Sequence, residues 1–286
     1  MKAKVIITGA AGMLGQDLCS VLQSQWDVYG LSREELDITQ YLRVDEVLKK
    51  IKPAVVINAA AYTQVDNCET NQEEAYRVNA LGPRNLSVVC QQIGASLVQI
   101  STDYVFDGKG AQPYDEYSPT NPLGVYGKSK LAGEELVKTL TNRYYIIRTA
   151  WLYGKNGNNF VKTILRLAAE REYLTVVDDQ TGCPTYTKDL AVAIAELLEQ
   201  PGSYGVYHFT NSGSCTWYEF AREILKIAGI EKDVRPIKSH ELNRPAPRPH
   251  YSVLANNLGP LNGVKPLREW QQALKEFLNE IKLVGD

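Results

Sequence analysis

The 286-residue chain has only five cysteines (Cys19, Cys68, Cys90, Cys183, Cys215), and no two of them form a C-x-x-C pair. An odd number at scattered positions excludes a disulfide framework and fits small thiols in a reducing compartment. Charge of one sign is also lacking. A formal net charge of -2 gives no global field to draw nucleic acid or an anionic membrane, so any anionic ligand must be held locally. Long hydrophobic runs are missing as well. The apolar Val5-Ile6-Ile7 ends at Thr8-Gly9, far too short for a signal-peptide core or a membrane span, and the cytoplasm is the expected location. The three histidines (His208, His240, His250) do not cluster with cysteines or acids at metal spacing, and no metal is expected. No G-x-S-x-G elbow exists for acyl transfer. Gly127-Lys128-Ser129 matches the tail of a Walker phosphate loop, but Pro122 stands where its first glycine is required.

What is present is an ordinary globular composition, 44% hydrophobic and 22% charged, in a strand–helix alternation. Lys4-Val5-Ile6-Ile7, Val28 to Leu31, Ala54 to Ile57, Leu97 to Ile100 and Tyr144 to Ile147 read as strands. Between them lie helical patterns over Met13 to Ser24 and about 40–51, 71–93 and 127–141. Near-continuous apolar strands separated by helices predict an α/β fold, a Rossmann-type doubly wound parallel sheet.

After about residue 150 the rhythm loosens. Helices are expected near 158–172, 187–199 and 266–282, with strands at Leu174 to Val177 and Val206 to Phe209. Thr216-x-x-Glu219 reads as a capping box opening another helix. Arg244-Pro245-Ala246-Pro247-Arg248-Pro249 cannot be helical. The expected organisation is a dinucleotide-binding domain over 1–150 and a smaller, interwoven substrate-binding domain over 151–286. Segments near 174–210 would return to the main sheet.

Two constellations carry chemistry. Thr8-Gly9-Ala10-Ala11-Gly12-Met13-Leu14-Gly15 lies between the first strand and first helix, with G-x-x-G-x-x-G spacing. Glycines there let the backbone turn and approach a pyrophosphate, while the helix N-terminus offers free N–H groups to the anion. The alternative is a tight turn with no ligand. At the end of the second strand, where an acidic residue would grip a ribose 2′-hydroxyl, the chain reads Leu31-Ser32-Arg33. That favours the 2′-phosphate of NADPH over NADH, unless Arg33 is merely a solvated loop residue. Asp37 and Ile38 would lie against the adenine or ribose.

The second constellation is Tyr126-x-x-x-Lys130, whose two side chains share a helix face. A phenol with a pKa of about 10 suits acid–base work poorly, and a neighbouring ammonium favours its phenolate. Ser101-Thr102-Asp103 stands at the carboxyl end of a parallel strand, where ligands bind in such sheets. With seventeen tyrosines in the chain, a chance Tyr-x-x-x-Lys is the competing reading.

This ordered set, with Asn58-Ala59-Ala60-Ala61, Arg148-Thr149-x-Trp151 and Arg244-Pro245-x-x-Arg248-Pro249, resembles the extended short-chain dehydrogenase/reductases along nearly the whole chain. The resemblance implies catalysis by Thr102, Tyr126 and Lys130. The substrate would be the C4 carbonyl of a dTDP-linked 6-deoxy-4-keto-hexose, with NADPH, or NADH, as donor. Gly9, Gly12, Met13 and Leu14 would cradle the pyrophosphate, and Ala59, Ala60 and Ala61 the adenosine side. Thr102, Asp103 and Trp151 would face the sugar nucleotide, with Arg244 or Arg248 neutralising its diphosphate. Some members hold magnesium at a dimer interface. Asp17 matches one of those ligands, Lys188-Asp189 is ambiguous, and the homodimer is left open. Related activities on this fold are sugar-nucleotide epimerases and dehydratases. A non-catalytic relative is the regulatory beta subunit of methionine adenosyltransferase.

Overall fold

The computed structural model describes residues 2–199 and 202–282. The first half builds the main sheet from β1 (Lys4–Thr8), β2 (Asp27–Leu31), β3 (Val55–Asn58), β4 (Ser96–Thr102) and β5 (Tyr144–Thr149). Its connecting helices are α1 (Met13–Leu22), α2 (Tyr41–Ile51), α3 (Val65–Thr70), α4 (Gln72–Tyr76), α5 (Gly82–Ile93) and α6 (Val125–Leu140). The helix expected over 71–93 is interrupted: α4 runs through a π turn, Arg77–Leu81, into α5.

In the second half follow β6 (Leu152–Tyr153), α7 (Phe160–Glu170), β7 (Tyr173–Val177), β8 (Thr181–Gly182) and β9 (Thr185–Tyr186). Then come α8 (Thr187–Glu199), β10 (Gly205–His208), β11 (Cys215–Thr216), α9 (Trp217–Ala228), β12 (Asp233–Ile237), α10 (Leu258–Leu261) and α11 (Trp270–Lys282). The six-stranded sheet has the order β10-β5-β4-β3-β1-β2, and every pairing in it is parallel. Of the segments near 174–210, β10 joins this sheet, whereas β7 pairs with β12 in a separate parallel pair.

Side-chain alternation explains the layers. Val5 and Ile7 pack with Leu14, Leu18 and Leu22 of α1 and with Leu190 and Ile194 of α8. Ile6 points to the other face, with Val44 and Leu48 of α2 and Leu86 and Val89 of α5. Burial of both faces is why these strands lack polar alternation. A third core, with Tyr153, Ile164, Phe220 and Phe277, holds the C-terminal elements together. The strand order reverses between β1 and β3, and a crevice for ligands forms beyond the carboxyl ends at such a switch point.

Candidate active site

The turn after β1 is shaped for close backbone approach. Gly9 takes φ +67°, and a Cβ there would lie 2.7 Å from the Ala60 nitrogen. A Cβ on Gly15 would fall 2.3 Å from the Gly9 carbonyl oxygen, so the helix can pack this tightly only on glycine. α1 begins at Gly12 without a side-chain cap and without acidic residues in its first turn, which leaves its N–H groups for an anion. Leu14 is buried in the core, so only its backbone can reach a ligand; Met13 is half-buried. The strand ends on either side of the crevice are tied by hydrogen bonds. Thr8 Oγ1 donates to Asn58 Oδ1 at 2.6 Å, and Asn58 Nδ2 donates to Gln99 Oε1 at 2.7 Å. This fixes Ala59, Ala60 and Ala61 beside the glycine turn.

Arg33 and Asp37 line a cleft of about 390 Å³ beyond β2, together with Glu34, Glu35, Gln40 and Arg43. Arg33 is mostly exposed and pairs with Glu74 at 3.6 Å. Burial alone would raise the Asp37 carboxyl, but hydrogen bonds from Thr39, with Arg33 and Arg77 nearby, outweigh it and hold it low. Ile38 points into the core against Gly82, so its side chain is packing and only its backbone is near this cleft.

β4 and α6 bring together Thr102, Asp103, Tyr126 and Lys130. Thr102 Oγ1 donates to Asp103 Oδ1 at 3.0 Å and accepts from the Tyr104 N–H at 3.2 Å. Burial pushes the Asp103 carboxyl up to about 6, against hydrogen bonds from Ser252 and Thr102, and its Oδ2 has no partner among the described residues. Lys130 is 4% exposed, and its Nζ donates to the Ile100 carbonyl at 2.6 Å. Burial lowers its ammonium to about 8, opposed by Glu134. The Tyr126 phenol is pushed above its ordinary value by burial, opposed by a hydrogen bond with Thr102 and reinforced by Asp103. The expected lowering of Tyr126 by Lys130 is therefore corrected: the phenol is raised, and desolvation of the phenolate is the largest cause.

Next to this group opens a cavity of about 990 Å³ whose walls include Tyr104, Gln180, Trp217, Arg244 and Arg248. Tyr104 meets Tyr126 edge-on, ring centroids 5.5 Å apart, and so joins the cavity to the Tyr126–Lys130 group. Trp151 adopts φ +46°, rare for a bulky residue, and stacks flat on Trp217 at 3.4 Å. It meets the cavity through Trp217, whose contribution no motif foretold. Arg248 grips Asp66 of α3 with both Nη atoms at 3.0 Å, and Arg244 Nη1 adds a contact at 3.1 Å. Asp66, to which the sequence analysis assigns no role, is thus the shared anchor of both arginines. Asp17 accepts from Thr187 Oγ1, Lys188 pairs with Glu276, and Asp189 with Arg268. Among the described residues no group of three or more His, Cys, Asp or Glu side chains is arranged to hold a metal ion.

The family model of the RmlD substrate binding domain matches residues 3–283. The chain belongs to the RmlD substrate binding domain family. A dTDP-4-dehydrorhamnose reductase from Streptomyces griseus is 46% identical to it, covering 95% of this chain and 91% of the relative. A dTDP-4-keto-6-deoxy-D-glucose reductase from Streptomyces niveus is 41% identical, covering 96% of each. Among solved structures, the dTDP-4-dehydrorhamnose reductase of Bacillus anthracis in complex with NADP superposes with a TM-score of 0.95. It is 47% identical and covers 98% of this chain and 100% of that one. Membership in the RmlD family fits the glycine turn, the Tyr126–Lys130 helix and the wide cavity that the chain presents together.

Proposed function

We propose that this chain reduces the C4 keto group of dTDP-4-dehydro-β-L-rhamnose to give dTDP-β-L-rhamnose, a cell-surface polysaccharide precursor, in the cytoplasm. NADPH is the hydride donor, and NADH an accepted alternative. The carrying observation is the meeting of Thr102, Tyr126 and Lys130 at the carboxyl end of β4, in a chain nearly half identical to a reductase solved with NADP. Residues 1–150 hold the cofactor, and 151–286 mainly hold the sugar nucleotide.

The glycine cradle fits a dinucleotide: Gly9, Gly12, Met13 and Leu14 present backbone to the pyrophosphate, and Ala59, Ala60 and Ala61 line the adenosine side. Arg33 faces the 2′-phosphate in the cleft beyond β2, with Asp37 and the Ile38 backbone beside the ribose and adenine. When bound, the cofactor supplies the hydride. Tyr126 gives its phenolic proton to the carbonyl oxygen, which Thr102 Oγ1 holds in place. Lys130 spends one donor on Ile100 and keeps others for ribose hydroxyls, while its charge favours the phenolate left behind. Asp103 and Trp151 border the sugar, and Arg244 and Arg248 face the diphosphate.

The test is NADPH absorbance with the dTDP-4-keto-6-deoxy-L-sugar, beside its D-configured counterpart, NADH and a no-sugar control. Consumption that depends on the L-sugar supports the reading. Consumption only with the D-sugar would correct the substrate's configuration. No consumption in a protein that still binds cofactor would overturn the reductase and turn attention to an epimerase or a regulatory subunit.

A further inference from the structure

α6 carries Tyr126 and Lys130, and one turn further on it buries a carboxylate. Glu134 is fully buried, and its charge partner Arg148 is 3% exposed at the side chain. Arg148 donates through Nε at 3.0 Å and Nη2 at 2.7 Å, and Ser101 Oγ donates to the same carboxylate at 2.5 Å. Ser101 and Arg148 face each other across β4 and β5, directly before the pair Thr102 and Thr149. One carboxylate of the catalytic helix thus grips a cross-strand pair on the sheet, adjacent in sequence to the hydroxyl that works with Tyr126.

We infer that Glu134 is a positioning residue: it staples α6 to β4 and β5 in the register that brings Tyr126 to Thr102, and it sets an anion one helical turn from the Lys130 ammonium. The inference deepens the reading of Tyr126 and Lys130 given above and rests on it. An ion pair this deep is a costly way to hold a helix, since apolar residues of similar volume commonly pack as well. Placing charge and register beside a buried lysine is something apolar packing cannot do. Burial drives Lys130 toward its neutral form, and Glu134 is the charge that opposes this.

On α6 itself, Lys138 Nζ lies 4.0 Å from Glu134 Oε2 and 2.8 Å from Glu135 Oε1, and the other charged groups packed around the helix are engaged elsewhere. After β4, Asp103 holds the Thr102 hydroxyl, and Tyr104 is bonded to Arg248. On α3, Asp66 is paired with Arg248 and Glu69 accepts the Val125 N–H. Arg77 of the π turn is paired with Glu74 of α4, and the π turn meets α6 through neutral Asn79. On α5, Arg84 is exposed and the Cys90 thiol is held protonated by burial.

The test follows the Lys130 ammonium directly, by nitrogen NMR of protein labelled at lysine Nζ, with Lys130→Arg to assign the signal. In Glu134→Gln the Lys130 midpoint should fall by about one pH unit or more relative to the parent protein. In turnover with NADPH and the dTDP-keto-sugar, the alkaline limb of kcat should move down with it, while KM for the sugar stays nearly constant. Ser101→Ala cuts one arm of the staple without touching charge, and should lower kcat equally at every pH. Should Glu134→Gln fail to fold with Arg148 left unpaired, Glu134→Gln combined with Arg148→Met removes both charges, and a smaller fall in the same direction is expected, because the guanidinium lost with it had itself opposed the ammonium. An unmoved Lys130 midpoint in either folded variant overturns the inference. Absent turnover in the parent protein would count against the reductase reading alone, because the NMR titration still decides this one.

Discussion

At the scale of single residues, the site is governed by what burial does to charge. Tyr126 keeps its proton more tightly than a free tyrosine, while Lys130 is brought down to about 8. A phenol that holds its proton is in the right state to deliver it to a carbonyl. Tyr126→Phe should lower kcat by about 10²-fold or more while leaving NADPH binding nearly unchanged, read by steady-state kinetics and cofactor fluorescence. Near-normal turnover would remove the phenol from the chemistry. Asp103 offers a separate check, on stability. Its folded pKa of about 6 lies above the unfolded value of about 3.9, so the folded state binds the proton more tightly. Its contribution is complete below about pH 4 and is lost as pH rises through 6. Asp103→Asn should therefore be more stable than the parent protein at pH 8, on the order of 2 kcal/mol, and gain little at pH 4. Denaturant melts at the two pH values measure this, and an equal difference at both would contradict it. That Thr102, Tyr126 and Lys130 lie together was legible in their type and spacing. Their protonation was not, because it depends on packing that spacing does not contain.

At the scale of elements, hydrophobic period recovered most of the helices and all six strands of the main sheet. α8 falls over the expected 187–199, and the Thr216–Glu219 capping box opens α9. Two features escaped for identifiable reasons. β12 contains Pro236, and proline argues against a strand; it is tolerated here because β12 belongs to a two-stranded sheet, where every strand is an edge. The π turn at Arg77–Leu81 leaves the apolar pattern of a long helix intact and shows only in the hydrogen bonds it rearranges. Asn79 in that turn accepts from the Tyr62 N–H at 2.8 Å, donates to the Tyr62 carbonyl at 3.0 Å and reaches Ser129 of α6 at 3.1 Å. A Cβ on Gly133 would lie 2.2 Å from the Asn79 carbonyl oxygen, so the turn is also the surface on which α6 rests. Asn79→Ala strands both polar groups of the Tyr62 backbone, at a cost of about 2–3 kcal/mol. Urea unfolding would read that loss, and a change under about 0.5 kcal/mol would show that solvent replaces the side chain.

At the scale of the whole molecule, the two halves share one site through a strap. Residues 244–249 run from the C-terminal half back to α3, where Asp66 accepts from Arg244, Arg248 and the Ala246 N–H. Burial alone would raise the Asp66 carboxyl, but the Arg248 and Ala246 hydrogen bonds outweigh it and hold it ionised at neutral pH. The prolines stiffen the segment, and the fork-on-fork geometry at Asp66 fixes the Arg248 guanidinium at the cavity wall. Sequence motifs pointed to these arginines but not to their anchor, because Asp66 and Arg248 lie far apart in the chain and no local pattern joins them. Two opposite outcomes follow from two roles for Asp66. If it competed with the substrate diphosphate for the arginines, removing it would tighten substrate binding. If it holds them in place, removing it returns entropy that the substrate must then offset on binding. The bidentate pair and the added backbone contact favour the second role, since a competitor has no need of the Ala246 N–H. Asp66→Ala should therefore raise KM for the sugar nucleotide about 10-fold while leaving KM for NADPH within about 2-fold, because the glycine cradle is untouched. A lower sugar KM in that variant would assign Asp66 the competitor's role, and a matching rise for NADPH would show that the strap supports the whole crevice.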